Sequence, residues 1–126
     1  FIQDEDSEGS IVPITKLDNL GIDDSEISLI KIDVEGYEKF VLDGGRECIK
    51  KTLCIYFEAI EKLYNKYGYS CIDVFRMLED NGFKIFRLID KCIVPIKYDS
   101  VIEEPNLLAI RDIDDFLNRT NLKIKN

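Results

Sequence analysis

Three carboxylates stand where apolar runs end. Asp33 and Glu35 close the run Leu29-Ile30-Lys31-Ile32-Asp33-Val34-Glu35-Gly36-Tyr37-Glu38, and Glu58 closes a second run that begins at Leu53. In an open α/β sheet, ligands sit outside the carboxyl ends of the strands. Acids at these positions are therefore expected to face a ligand. A carboxylate there can orient a hydroxyl or take its proton. Asp33 and Glu58 together can also hold a hard cation such as Mg²⁺ through oxygen. The chain has no histidine, which removes any mechanism that draws an imidazole base from it. The remaining polar actors are Asp33, Glu35, Glu58, Lys31 and Tyr37.

Each of these residues also has a structural reading. Lys31, Asp33 and Glu35 share a face if the strand runs that far, because side chains alternate with period 2. Asp33 is then either an orienting group or base, or the partner of Lys31 within the sheet. Glu35 suits the start of the next helix, whose positive end favours an acid. Gly36 permits a tight turn. Glu58 is a ligand group or a plain surface glutamate, and two acids alone do not make a metal site, so none is assigned. Tyr56, Tyr64, Tyr67 and Tyr69 line a pocket or pack with their hydroxyls in water. The acidic stretch from Asp4 to Gly9 resembles half a calcium loop, but Thr15 stands where the bidentate glutamate is needed, so it reads as a solvated tail.

The 126 residues suit one domain, and 45% hydrophobic content supports a core. A net charge of −8 disfavours nucleic acid, whose binding is driven by cationic contacts to phosphate. No apolar stretch approaches the roughly 20 residues of a membrane span, and no signal-peptide pattern is present. Cys48, Cys54, Cys71 and Cys92 form no CxxC pair. With no histidine beside them, structural zinc is not expected. They read as small buried hydrophobes in a reduced, cytoplasmic protein.

Positioning these groups requires strands followed by helices. Residues 1–10 read as a loop and 11–14 as a short edge strand. Residues 15–21 read as one helical turn capped by Thr15 and stopped by Gly21. The nearly continuous apolar run 27–34 predicts a parallel strand covered on both faces. A helix over 37–51 follows, interrupted at Gly44-Gly45. A second buried strand covers 53–57, and 60–68 is a helix or lid-like loop. Ser70 and Asp73 resemble a capping box opening a helix over 70–81. Strands 83–89 and 92–98 pair around Asp90-Lys91. A loop over 99–105, a strand over 106–111 and a helix over 112–119 end the chain. This order is that of an α/β fold with crossover helices. No GxGxxG turn occurs, so the chain reads as the second half of a larger α/β domain. One sheet edge would then be bare and prone to self-association.

Leu17-Asp18-Asn19-Leu20, the KIDVEGYE run, Val41-Leu42-Asp43-Gly44, Glu58, the segment 78–83 and Asn106-Leu107-Leu108-Ala109 together resemble the FkbM family of S-adenosylmethionine-dependent methyltransferases. The resemblance covers residues 15–111, flanked by 1–14 and by a C-terminal helix and tail over 112–126. It implies a single partial domain with a class I methyltransferase, Rossmann-like sheet. The strands over 27–34 and 53–57 would be its fourth and fifth, and the strand over 106–111 would insert antiparallel between the fifth strand and the hairpin. By resemblance, the cofactor is S-adenosylmethionine and the acceptor is a sugar or small-metabolite hydroxyl. Asp33, Glu35 and Glu58 would serve catalysis, and Asp33 and Gly36 the cofactor. The family's cofactor-binding first half is not among these residues. The rival readings are a noncatalytic α/β interaction module and a remnant that has lost cofactor binding.

Overall fold

A computed structural model of the chain describes residues 8–97 and 103–126. Its core is a six-stranded sheet of order β1-β2-β5-β3-β4-β6. The strands are β1 (Ile27–Ile32), β2 (Thr52–Ile60), β3 (Lys84–Ile89), β4 (Cys92–Pro95), β5 (Glu103–Ile110) and β6 (Lys123–Ile124). β1 runs parallel to β2, whereas β5 is antiparallel to both β2 and β3. The helices are α1 (Glu38–Asp43), α2 (Arg46–Lys50), α3 (Glu61–Asn65), α4 (Cys71–Asp80) and α5 (Ile113–Arg119). This mixed α/β sheet is consistent with a Rossmann-like methyltransferase fold, and β5 inserts where the resemblance placed it.

Alternation along β2 sorts its side chains to two layers. Ile55, Phe57 and Ala59 join Ile32, Leu42, Val74, Phe75 and Leu78 in the larger core. Cys54 joins Phe86, Ile93 and Leu108 on the other face, against Ile113, Phe116 and Leu117 of α5. Cys48, Cys54 and Cys71 are buried and Cys92 is half-buried, with no disulfide among them. Burial lifts the Cys54 thiol to about 12, so it stays a neutral hydrophobe. Among the described residues, no helix is long and apolar enough to cross a membrane.

Several expected boundaries move. Residues 11–14 form no strand, and Ile11 is fully exposed. The turn at Leu17–Leu20 is a 3-10 helix whose N-cap is Lys16, not Thr15, and Gly21 ends it in the left-handed region. The helix expected over 37–51 is two helices. Asp18 reaches across to accept hydrogen bonds from the N–H groups of Glu47 and Cys48, both at 3.0 Å. These donors lower its carboxyl pKa and cap α2 from a distant segment. A Cβ on Gly45 would lie 2.7 Å from Leu17 Cδ2, so the glycine pair admits the 3-10 turn. β2 runs to Ile60, which places Glu58 inside the strand. β5 begins at Glu103, inside the expected 99–105 loop. β4 stops at Pro95; Tyr98 and residues 99–102 lie outside the described residues. The short β6, which pairs parallel with β4, was not foreseen.

The capping box is present: Ser70 Oγ accepts from Asp73 N–H, and Asp73 accepts from Ser70 N–H at 2.9 Å. The hairpin turns at Asp90 and Lys91, both with positive φ, the geometry that matches strand twist. α5 is capped by Asp112. Arg111, at the end of β5, ties the elements together. Its guanidinium donates to Thr52 O at 3.0 Å, Asn81 O at 2.5 Å and Ile49 O at 2.7 Å, and lies 4.2 Å over the Phe83 ring. It thereby satisfies carbonyls at the ends of α2 and α4. Arg111→Ala should cost about 2–4 kcal/mol in urea unfolding, because several carbonyls lose a charged donor at once. Lysine, a point charge without the planar fork, should restore only part of this.

Candidate functional site

β1 ends at Ile32, two residues earlier than its apolar pattern suggests. The chain then turns tightly, with Tyr37 N–H donating to Val34 O at 3.2 Å. Both central residues have positive φ, 53° at Glu35 and 102° at Gly36. For Glu35 this is a conformation that non-glycine residues rarely adopt. Gly36 is required for a second reason. A Cβ there would lie 3.0 Å from Leu63 O and 3.1 Å from Tyr67 Cε2, so α3 and the segment after it press directly on the turn.

The turn brings the three acids together. Carboxylate oxygens of Asp33, Glu35 and Glu58 all lie within 4.8 Å of one another. Asp33 and Glu35 are exposed and Glu58 is half-buried. Glu58 reaches them from β2, beside the shift in the β2–β5 register between Phe57 and Ala59. Burial pushes the Glu58 carboxyl up from its ordinary value, and the charges of Asp33 and Glu35 push it further, against the pull of Lys31. Such a group of oxygens suits a cationic ligand or a hard metal ion.

Lys31 Nζ lies 6.0 Å from the centre of the Tyr56 ring. The helix-start acid is Glu38, not Glu35. Glu38 is 1% exposed, and its Oε1 accepts from Val34 N–H at 3.4 Å. Burial raises its pKa, opposed by the N–H groups of Glu38, Val34 and Gly36, while Glu58 adds to the rise. Sequence reasoning missed Glu38, although it lies in the same KIDVEGYE run, because an acid in a helix's first turn ordinarily faces solvent. The tyrosines divide. Tyr64 and Tyr69 are buried; Tyr64 donates to Glu58 O at 2.5 Å and Tyr69 donates to Gly36 O. Tyr67 is exposed and meets Tyr37 edge-on at 5.4 Å. Beside the turn, Tyr37 and Phe40 line a cleft of about 480 Å³ with Ile14, Leu17 and Leu20, within the usual size range of ligand pockets.

A family model described as the methyltransferase FkbM domain matches residues 2–85. The match contains β1, the turn, β2 and α4, and stops inside β3. No curated protein and no solved structure matches the chain.

Gly36→Ala should lower stability by about 1–3 kcal/mol in urea unfolding, since alanine disfavours positive φ and its methyl would meet Leu63 and Tyr67. Gly21→Ala is a useful comparison: it also has positive φ, but its Cβ would meet nothing within 4 Å, so it should cost less.

Proposed function

Because the chain belongs to the FkbM methyltransferase family, we propose that it serves the S-adenosylmethionine-dependent methylation of a hydroxyl on a sugar or small metabolite. The observation that carries this reading is the convergence of Asp33, Glu35 and Glu58 at the end of the parallel β1–β2 pair. S-adenosylmethionine supplies a methyl group on a cationic sulfonium, and also carries an ammonium. A rim of carboxylates offers charge complementary to both. The residues present therefore fit the cationic portion of the cofactor.

Much of the acceleration of an in-line methyl transfer comes from positioning. Asp33 is assigned as the group that orients the acceptor hydroxyl or takes its proton. Glu35 adds negative charge beside it. Glu58, its carboxyl pushed up by burial and by the charges of Asp33 and Glu35, completes the acidic rim from the β2 side. Gly36 acts through the turn, because α3 occupies the space over its Cα. The aromatic cleft beside the turn suits the ring of a small acceptor. Isothermal calorimetry with S-adenosylmethionine should show saturable binding that Asp33→Ala weakens. Absence of binding to the wild-type chain would refute a cofactor site built from these residues alone.

A noncatalytic interaction module is the second reading, favoured by the position of β1 at the edge of the sheet among the described strands. Ile27 N–H bonds Lys51 O at 2.8 Å. By alternation, Ser28, Ile30 and Ile32 then turn their backbone groups away from β2. Leu29 is 57% exposed beside them. Two such edges can pair antiparallel about Ile30, which sets Lys31 opposite Leu29 rather than opposite another lysine. Light scattering should show concentration-dependent dimers that Ser28→Pro suppresses; a monodisperse monomer at high concentration would refute the pairing.

A further inference from the structure

We propose that Glu38, Tyr64 and Tyr69 form a buried positioning layer that sets the Val34–Gly36 turn and Glu58 against each other. The layer's bearing on methyl transfer rests on the reading above; its existence does not.

The three side chains are buried, Tyr64 and Tyr69 as members of the larger apolar core. Burying polar atoms is costly unless each finds a partner. Leucine or phenylalanine would fill the same volumes without that cost. In this layer the polar atoms bond to backbone that carries the rim carboxylates. Glu38 Oε1 takes Val34 N–H, between Asp33 and Glu35. Tyr69 donates to Gly36 O, on the other side of Glu35. Tyr64 donates to Glu58 O, beside the shift in the β2–β5 register. The Tyr64 and Tyr69 rings lie 4.7 Å apart, tilted by 31°, so the grip on the turn and the grip on Glu58 are in contact. Among the described residues, Glu38 Oε2 has no hydrogen-bond partner. Its burial favours the protonated acid, which glutamine can imitate and leucine cannot.

The test uses the full chain. Amide hydrogen exchange is read by NMR at residues 34–37, global stability by urea unfolding, and S-adenosylmethionine binding by calorimetry. Glu38→Leu should speed Val34 exchange about tenfold, the loss of roughly one hydrogen bond, while the urea midpoint holds or rises. Glu38→Gln should restore the slow exchange. Tyr64→Phe should shift the Glu58 carbonyl resonance, and both Tyr64→Phe and Tyr69→Phe should weaken cofactor binding about tenfold, as for one lost hydrogen bond. Unchanged Val34 exchange in the leucine variant, or equal effects of leucine and glutamine, would overturn the layer. So would phenylalanine variants with wild-type carbonyl shifts and wild-type binding. Should Glu38→Leu fail to fold, the two phenylalanine variants decide alone. If the wild-type chain binds no cofactor, the cofactor site assigned to these residues fails, and exchange and carbonyl shifts still decide the layer.

Discussion

The left-handed turn after β1 is the constraint on which the site depends. Extended on in the same parallel register, β1 would set Asp33 level with Glu58 but carry Glu35 level with Ile60, two residues beyond it. Instead the chain reverses within two residues of positive φ, and the missing side chain of Gly36 lets α3 close over it. That close approach couples the turn to the end of β2, because α3 begins immediately after Ile60. Glu35 bears part of the cost, sitting where a non-glycine residue is strained. Its position between two gripped backbone groups, Val34 N–H and Gly36 O, is what holds it there.

The second half of the molecule supports the first through β5. This strand enters between β2 and β3 and is antiparallel to both. It buries Leu107, Leu108, Ala109 and Ile110 completely or nearly so. Arg111 then extends the strand's reach to the ends of α2 and α4 and the start of β2. The large core and the α5 layer are thus built on the two faces of the same strands. The β2–β5 register shifts beside Glu58, between Phe57 and Ala59, so the antiparallel insertion borders the site.

Much of this architecture was legible in local pattern. The apolar run before Asp33 read as a strand because it is nearly continuous. Ser70 and Asp73 read as a capping box and form one. The hairpin around Asp90-Lys91 was legible from two apolar runs alone, although neither turn residue is glycine. The helix over 37–51 read as interrupted at Gly44-Gly45, and it divides there into α1 and α2; what packs into the break was not legible, because it is not local. Leu17 and Asp18, from a distant segment, occupy the space over Gly45 and cap α2. The same holds for Glu58: its strand end was placed at Phe57, and only pairing with β5 carries β2 to Ile60.

What the sequence alone determined is therefore the kind of sheet and the identity of the acids: periodicity and strand-end position are local properties of the chain. The tertiary structure decided the rest. It showed that the three carboxylates meet within 4.8 Å, that Glu38 rather than Glu35 is the acid buried at the helix start, and that Tyr64 and Tyr69 lie beneath the rim rather than around a pocket. These outcomes depend on which segments press together. An acid's burial and a tyrosine's partner are set by neighbours far along the chain, and no local spacing encodes them.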